Sequence, residues 1–187
     1  VIESFQISKD AGYKIVAHMM PGLPTMTPEG DISDFKKLFD DSQLKPDMLK
    51  IYPSLVIENT PLYEEYKRGE YTPYSDQDMI RVLTEVKRNV PKWVRIMRIQ
   101  REISPKEIIA GPKSGNLRQI VHQNLSKEGI SCKCIRCREA GLSNKKTDDQ
   151  NLKLNRIDYE SSGGNEVFLS YEDANDSIYG FLRLRKP

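Results

Sequence analysis

Long apolar runs are missing from this sequence of 187 residues. No stretch approaches the ~20 consecutive apolar residues that a membrane-spanning helix needs, which excludes such a helix. The first ten residues, VIESFQISKD, also lack the basic start and apolar stretch of a secretory signal peptide. We therefore expect a soluble, cytoplasmic protein, and 37% hydrophobic residues suffice for one sizeable core or parts of two smaller ones.

Cysteine is scarce, and its three copies, Cys132, Cys134 and Cys137, all lie in the stretch SCKCIRCREAG. An odd number cannot pair completely into disulfides, which argues against a disulfide scaffold. Thiols one and two residues apart can converge on one soft cation, and zinc is the usual metal of such a site in a reducing compartment. Free buried thiols are the alternative, but Lys133 and Arg136 make the segment too polar for a core strand.

The cysteine motif contains no fourth metal ligand. His122, in a predicted helix before the cysteines, is a candidate, although an exposed helix histidine is the simpler interpretation. Three thiolates around a divalent ion leave a charge of −1, which Lys133, Arg136 and Arg138 would offset. The alternative is an iron–sulfur cluster of the radical S-adenosylmethionine (SAM) type. The cysteines of that motif are separated by three and two residues, whereas Cys132, Cys134 and Cys137 are separated by one and two. The spacing favours zinc.

Basic residues are concentrated in the middle of the chain. Residues 92–138 carry 11 basic and 3 acidic side chains, a net charge of +8, whereas residues 1–91 carry 11 and 15, and residues 139–187 carry 7 and 9. Solvated helix faces are the alternative explanation, but segregated charge beside the cysteines favours an anionic partner, most simply nucleic acid. The candidate phosphate-binding residues are Arg95, Arg98, Arg101, Lys113, Arg118, Lys133, Arg136 and Arg138.

The first hundred residues alternate strand and helix patterns. The apolar run YKIVAHMMPGLP predicts a buried strand and a turn, and TPEGDISDFKKLFDD predicts a helix capped by Thr27. A second repeat follows with MLKIYPSLVI and the helix SDQDMIRVLTEVKRNV, and KWVRIMRIQREI predicts a third strand. Strands separated by helices are typical of a parallel α/β sheet or part of a barrel.

The pattern changes after Ser104. One helix is predicted from about Asn116 to Lys127, ended by Gly129, and the cysteines follow it. The polar stretch GLSNKKTDDQN reads as a linker. Beyond it, alternating residues interrupted by SSGGN and DAND predict antiparallel hairpins that begin another domain. Since the sequence starts and stops within such patterns, we expect it to be a piece of a longer chain.

Several motifs together resemble the catalytic subunit of Elongator in its archaeal or bacterial form. They are AHMMPGLP, LKPDMLKIYPSLVI, GEYTPYSDQDMI, VRIMRIQREI, NLRQ, CKCIRCREAG and FLSYED followed by GFLRLRKP. The resemblance runs through essentially all 187 residues, in the family's order. Members of this family join a radical SAM barrel to a Gcn5-related acetyltransferase domain, and they modify the wobble uridine of tRNA with acetyl-CoA.

The resemblance implies a central fragment with three parts. Residues 1–103 would be the last βα units of a radical SAM (partial TIM) barrel, residues 104–150 a zinc-binding connection, and residues 151–187 the first antiparallel strands of the acetyltransferase. The family's zinc cysteines fall on Cys132, Cys134 and Cys137. The implied cofactors of the full-length protein are zinc, a four-iron four-sulfur cluster, SAM and acetyl-CoA, and the implied partners are tRNA, other Elongator subunits or a second copy. The cluster cysteines and the acetyl-CoA loop are absent from these residues.

The resemblance also indicates a cofactor-binding region, although it identifies no catalytic residue. The loop from His18 to Pro24 would follow a strand at its carboxyl end, where such barrels gather substrate and cofactor. Core packing is the alternative for these side chains. A zinc-stabilised RNA-binding scaffold without catalysis is the alternative for the whole chain. The candidate cofactor-binding residues are His18, Met19, Met20, Lys50 and Tyr52.

Overall fold

The computed structural model describes residues 1–142 and 150–187, so most of the predicted linker GLSNKKTDDQN lies outside the described residues. Within them, none of the helices is long and apolar enough to cross a membrane. In chain order the elements are α1 (Ile2–Asp10), β1 (Val16–Met19), α2 (Pro28–Asp40), β2 (Met48–Ile51), β3 (Val56–Ile57), α3 (Pro61–Lys67), α4 (Asp76–Asn89), β4 (Arg95–Ile99), β5 (Ile108–Ala110), α5 (Leu117–Lys127), α6 (Ile135–Arg138), β6 (Lys153–Ser161), β7 (Gly164–Glu172) and β8 (Ile178–Lys186).

The first sheet is parallel, as the alternation of strands and helices predicts, with the strand order β1-β2-β4. Leu49, Ile51 and Ile96 on one face are fully buried, in one core with side chains of α2 and α4. The opposite face is more open. The expectation of a buried first strand is wrong for β1, because it lies at the sheet edge, where its His18 is exposed.

Capping residues mark where helices α2 and α4 begin. Thr27 caps α2 by accepting a hydrogen bond from the Gly30 amide, and a capping box between Ser75 and Asp78 opens α4, so both predicted starts are confirmed. The sequence reading missed α1, whose only buried residue is Lys9 and which therefore has no apolar stripe. It also missed the short antiparallel pair of β3 and β5.

Helix α5 starts one residue after the predicted Asn116 and ends at the predicted Lys127. Leu117, Val121 and Leu125 are buried in the same core as the inner side chains of α4. Gly129 follows with a φ of 71°, a left-handed conformation that glycine adopts without strain. This turn redirects the chain to the cysteines and to α6.

The predicted antiparallel segment is confirmed as a meander with the order β6-β7-β8. Ser162 and Gly163, both with positive φ, form a two-residue hairpin loop between β6 and β7. Phe168 and Ile178 from this sheet form a small core with Ile135 of α6.

Buried charges join the antiparallel sheet to the parallel one. Arg183 Nη1 of β8 lies 2.6 Å from an oxygen of Asp47, directly before β2. The buried Lys9 Nζ lies 3.7 Å from Asp47 and 3.5 Å from Glu166 of β7. Trp93, whose carbonyl accepts a 2.5 Å hydrogen bond from Arg183, stacks on Tyr159 with ring centroids 4.2 Å apart. The two sheets are therefore held by paired charges as well as by apolar packing.

Candidate metal centre and cationic clefts

The three cysteines converge beside β4. Cys132 and Cys134 precede α6 and Cys137 lies within it, and their three Sγ atoms are all within 4.8 Å of one another. The loop is fixed by the Ile135 amide, which donates a 2.9 Å hydrogen bond to the carbonyl of Val94, and by the Cys137 amide, which donates to Cys134. Cys132 and Cys134 are buried, so the cluster is shielded from water.

The geometry and chemistry of this cluster fit a divalent metal ion. Zinc–sulfur bonds of about 2.3 Å in a tetrahedral site place sulfurs about 3.8 Å apart, and the Cys134 and Cys137 sulfurs are 3.4 Å apart. Hydrogen bonds from the Cys132 and Cys137 thiols lower the pKa of Cys134 to about 2, and those to Cys134 and Cys137 raise the pKa of Cys132. One thiolate is therefore favoured before any ion binds.

His122 lies against the cluster but outside its sulfur triangle. Its Nε2 is 3.4 Å from Cys137 Sγ and 2.7 Å from Lys87 Nζ, and its side chain is half-buried rather than exposed. It is not among the atoms that lie mutually within 4.8 Å. Burial, reinforced by the charges of Lys87 and Arg118, lowers the pKa of His122 to about 4. The imidazole is therefore neutral near neutral pH and accepts the hydrogen bond from Lys87.

The cations that approach the cluster differ from those expected. Arg138 is fully buried in an ion pair with Glu172, so it does not offset thiolate charge as predicted. Lys133 is exposed, so water and salt screen its charge. Lys87 of α4 instead lies 3.3 Å from Cys137 Sγ. Spacing could not connect residue 87 with the cysteines. The sequence did contain one signal for Lys87: it falls on the buried stripe of α4 that includes Leu83 and Val86.

Basic side chains from β4, two loops, α5 and α6 line one cleft of about 480 Å³. Among the described residues that line it, Glu102 is the one acidic side chain. The other predicted phosphate-binding residues lie elsewhere: Arg95 pairs with Glu139 at 2.9 Å, and Lys133 and Arg138 do not line the cleft. The five predicted residues that it brings together are Arg98, Arg101, Lys113, Arg118 and Arg136.

A second cleft, of about 560 Å³, opens at the carboxyl ends of the parallel strands. It contains His18, Met20 and Tyr52, three of the five predicted cofactor-binding residues. His18 packs edge-on against Tyr52 at 5.6 Å, and Arg101 lies 6.0 Å from the Tyr52 ring centroid. Arg98 and Arg101 line both clefts, which are therefore neighbours.

The remaining two predicted cofactor-binding residues do not line this cleft. Met19 packs against the main core. Lys50 is half-buried and in register with His18 on one side and Arg98 on the other, so the three residues form one row across the sheet. The three side chains of this row, a histidine, a lysine and an arginine, lie on the sheet face opposite to α2 and α4.

The turn beside His18 is held by residues that the sequence reading did not single out. The Asp31 carboxylate accepts hydrogen bonds from the Gly22 amide at 2.8 Å and from the Tyr74 hydroxyl at 2.7 Å. Tyr71 donates to the Gly22 carbonyl at 2.6 Å. Gly22 has a φ of 83°, and a Cβ there would lie 3.3 Å from the Tyr74 ring. Burial, followed by the Asp31 contacts, raises the pKa of Tyr74.

Comparison with known proteins gives matches along the whole chain. Residues 46–127 match the Radical_SAM C-terminal domain family. The chain is 50% identical over 191 aligned positions to a tRNA uridine(34) acetyltransferase of Methanocaldococcus jannaschii, covering 100% of this chain and 35% of that protein. It is 43% identical over 189 positions to Elongator complex protein 3 of Homo sapiens, again covering 100% and 35%.

A solved structure agrees with these sequence relatives. The archaeal Methanocaldococcus infernus Elp3 with an N-terminal deletion of residues 1–46 is 47% identical and superposes with a TM-score of 0.95. The match covers 100% of this chain and 45% of that one. The chain thus spans about a third of the length of the curated relatives it matches.

Proposed function

The chain belongs to the family of tRNA uridine(34) acetyltransferases and Elongator complex protein 3, and we propose that it forms the middle of such an acyltransferase. In this proposal it contributes part of a radical SAM barrel, a zinc centre and a tRNA-binding surface, and the full-length enzyme works in the cytoplasm with other Elongator subunits. The observation that carries the proposal is the cleft in which, among the described residues, five basic side chains accompany one acidic side chain.

The charge of this cleft suits a nucleic-acid backbone. None of its five basic side chains forms an ion pair with a carboxylate within residues 1–142 and 150–187, so no acidic side chain there neutralises their charge. Arginine guanidinium groups match phosphate oxygens in geometry and stay charged. Phosphate contacts position a nucleic acid without reading its sequence, which suits an enzyme that acts on one position in many tRNAs.

The neighbouring cleft at the strand ends suits the reacting nucleotide and its cofactor. Its volume of about 560 Å³ falls within the range of roughly 300–1,000 Å³ typical of small-molecule sites. Unpaired bases stack on aromatic rings and arginine planes, and Tyr52 and Arg101 offer both there. His18, Met20 and Tyr52 would contact the uridine or SAM, which supplies radical chemistry when bound. Phosphates held by the five basic residues would therefore bring a base toward Tyr52.

The zinc centre is proposed to tie the barrel segment to the antiparallel sheet. The cysteine loop bonds to β4 through Ile135, and immediately after it the Ala140 amide donates a 2.9 Å hydrogen bond to the Ile178 carbonyl of β8. Arg138, within the same short stretch, pairs with Glu172 of β7. A structural ion that fixes this loop would thus orient two sheets at once.

Binding of tRNA to the full-length protein at several salt concentrations tests this surface. With Arg98 and Lys113 both replaced by Ala, we expect weaker binding of every tRNA. The slope of log affinity against log salt should also become less steep by about 1.4–1.8, because each lost phosphate contact reduces it by about 0.7–0.9. The matched control is Arg156→Ala, an exposed arginine on β6 paired with Asp158. Unchanged affinity and slope in the double variant would show that this cleft does not bind tRNA.

A further inference from the structure

Lys87 has an unusual environment for a lysine. Its side chain, on the inner face of α4, has 0% relative exposure. Its Nζ lies 2.7 Å from His122 Nε2 and 3.3 Å from Cys137 Sγ. It forms no ion pair with a carboxylate in the part of the chain that the structure describes. Burying an ammonium without a counter-charge costs several kcal/mol. The neighbouring cysteine sulfurs are the groups that could supply this counter-charge.

Lys87 places one positive charge in direct contact with a sulfur atom of the cluster. Three thiolates and one divalent ion carry −1, and a net charge is costly where Cys134 has 0% relative exposure. Arg138 is paired with Glu172, and Lys133 is exposed to water. Arg118 acts on the thiols from a greater distance, while its own Nη2 donates to the Ile96 carbonyl at 3.2 Å. The ammonium in contact with sulfur, with its charge of +1, is that of Lys87.

We propose that Lys87 is the charge partner of the metal centre: it donates a hydrogen bond to the Cys137 sulfur and keeps the three-thiolate site neutral when a divalent ion is bound. His122 holds the ammonium in place through Nε2, which makes it a positioning residue for Lys87 rather than an isolated surface histidine. This inference rests on the proposed zinc centre. It links α4, in the barrel segment, with a loop about 50 residues further along the chain.

The test is zinc affinity measured by chelator competition in the full-length protein. Lys87→Met removes the charge but keeps the apolar stem, and we expect zinc binding to weaken by about 10- to 100-fold, as is typical when a partner of a metal ligand is lost. Lys87→Arg restores the charge and should recover most of the affinity. The matched control is Lys133→Met, the same change at an exposed lysine between Cys132 and Cys134, which should leave affinity unchanged.

Folding and metal binding are separated by further measurements. Circular dichroism identifies variants that keep their helices, and Lys87→Gln replaces Lys87→Met if the latter does not fold. Cobalt(II) substitution gives a sulfur-to-metal absorption band that reports the three thiolates independently of activity. If a folded, uncharged variant at Lys87 binds zinc as tightly as wild type, the role of Lys87 is refuted and the zinc centre stands. Absence of metal from the wild-type protein would overturn the zinc centre and this inference with it.

Discussion

At the scale of one residue, Arg138 is a basic side chain whose burial commits its charge to an internal ion pair and not to an external ligand. Its position two residues after Arg136 and five after Lys133 predicts a phosphate contact. Instead its side chain has 1% relative exposure and pairs with Glu172, while Nε donates to the Asp176 carbonyl at 3.1 Å. Glu172 is almost as buried and also accepts a hydrogen bond from Ser170 at 2.6 Å. The pair therefore fixes α6 to β7 instead of facing a ligand.

Replacing Arg138 by Met should destabilise the protein by about 3–5 kcal/mol, because it leaves the Glu172 carboxylate buried without its main partner. Equilibrium denaturant unfolding measures this loss. Lys92→Met is the matched control, since Lys92 lies 3.6 Å from the same carboxylate with 35% of its side chain exposed, and an exposed partner contributes about 0–1 kcal/mol. Equal losses in the two variants would contradict the role assigned to Arg138.

The sequence predicted residue positions well only where local spacing decides them. Cys132, Cys134 and Cys137 converge because one short loop carries all three. The pairing of Arg138 with Glu172 depends on how a distant sheet packs, and the contact of Lys87 with Cys137 depends on where α4 lies beneath the loop. Helical periodicity could mark Lys87 as a buried lysine, but no pattern in the sequence identifies the partner of either residue.

At the scale of elements, strong local signals succeeded and weak ones failed. Thr27 and the Ser75–Asp78 capping box fixed the starts of α2 and α4, because caps act within one turn. α1 escaped detection, since it docks through the buried Lys9 and not through an apolar stripe. Local signals predicted strand β4 and helix α5, but not that these elements and the loops between them line the same two clefts. That arrangement exists only after folding.

The loop between β1 and α2 gives an element-scale prediction. Asp31→Asn replaces the carboxylate that accepts hydrogen bonds from Gly22 and Tyr74, and we expect a loss of about 1.5–3 kcal/mol in unfolding free energy, the range for hydrogen bonds to a charged group. Tyr74→Phe removes one of these two bonds and should cost less. If Asp31→Asn were as stable as wild type in denaturant unfolding, the carboxylate would not be what holds this turn.

For the whole molecule, the two sheets are joined at two separate places. At one, Arg183 pairs with Asp47, and Lys9 Nζ lies 3.7 Å from Asp47 and 3.5 Å from Glu166. At the other, the cysteine loop reaches β8 through Ala140 and Ile178. The first junction involves none of the proposed zinc ligands, whereas the second follows directly on them. Removing a metal ion should therefore affect the two junctions differently.

Zinc removal should loosen only the junction beside the cysteines. Without the ion, the loop loses its fixed geometry, so the Ala140 amide, which donates to the Ile178 carbonyl, should exchange its hydrogen at least tenfold faster. The Ser162 amide, which donates to the Ser42 carbonyl beside the other junction, should keep its rate. Hydrogen exchange of the full-length protein with zinc and after chelation measures both amides. Equal acceleration at both would indicate global destabilisation, and no acceleration at Ala140 would show that the ion does not hold this junction. Because the charged junction persists without metal, we expect the antiparallel sheet to stay attached and to pivot about Asp47 and Arg183.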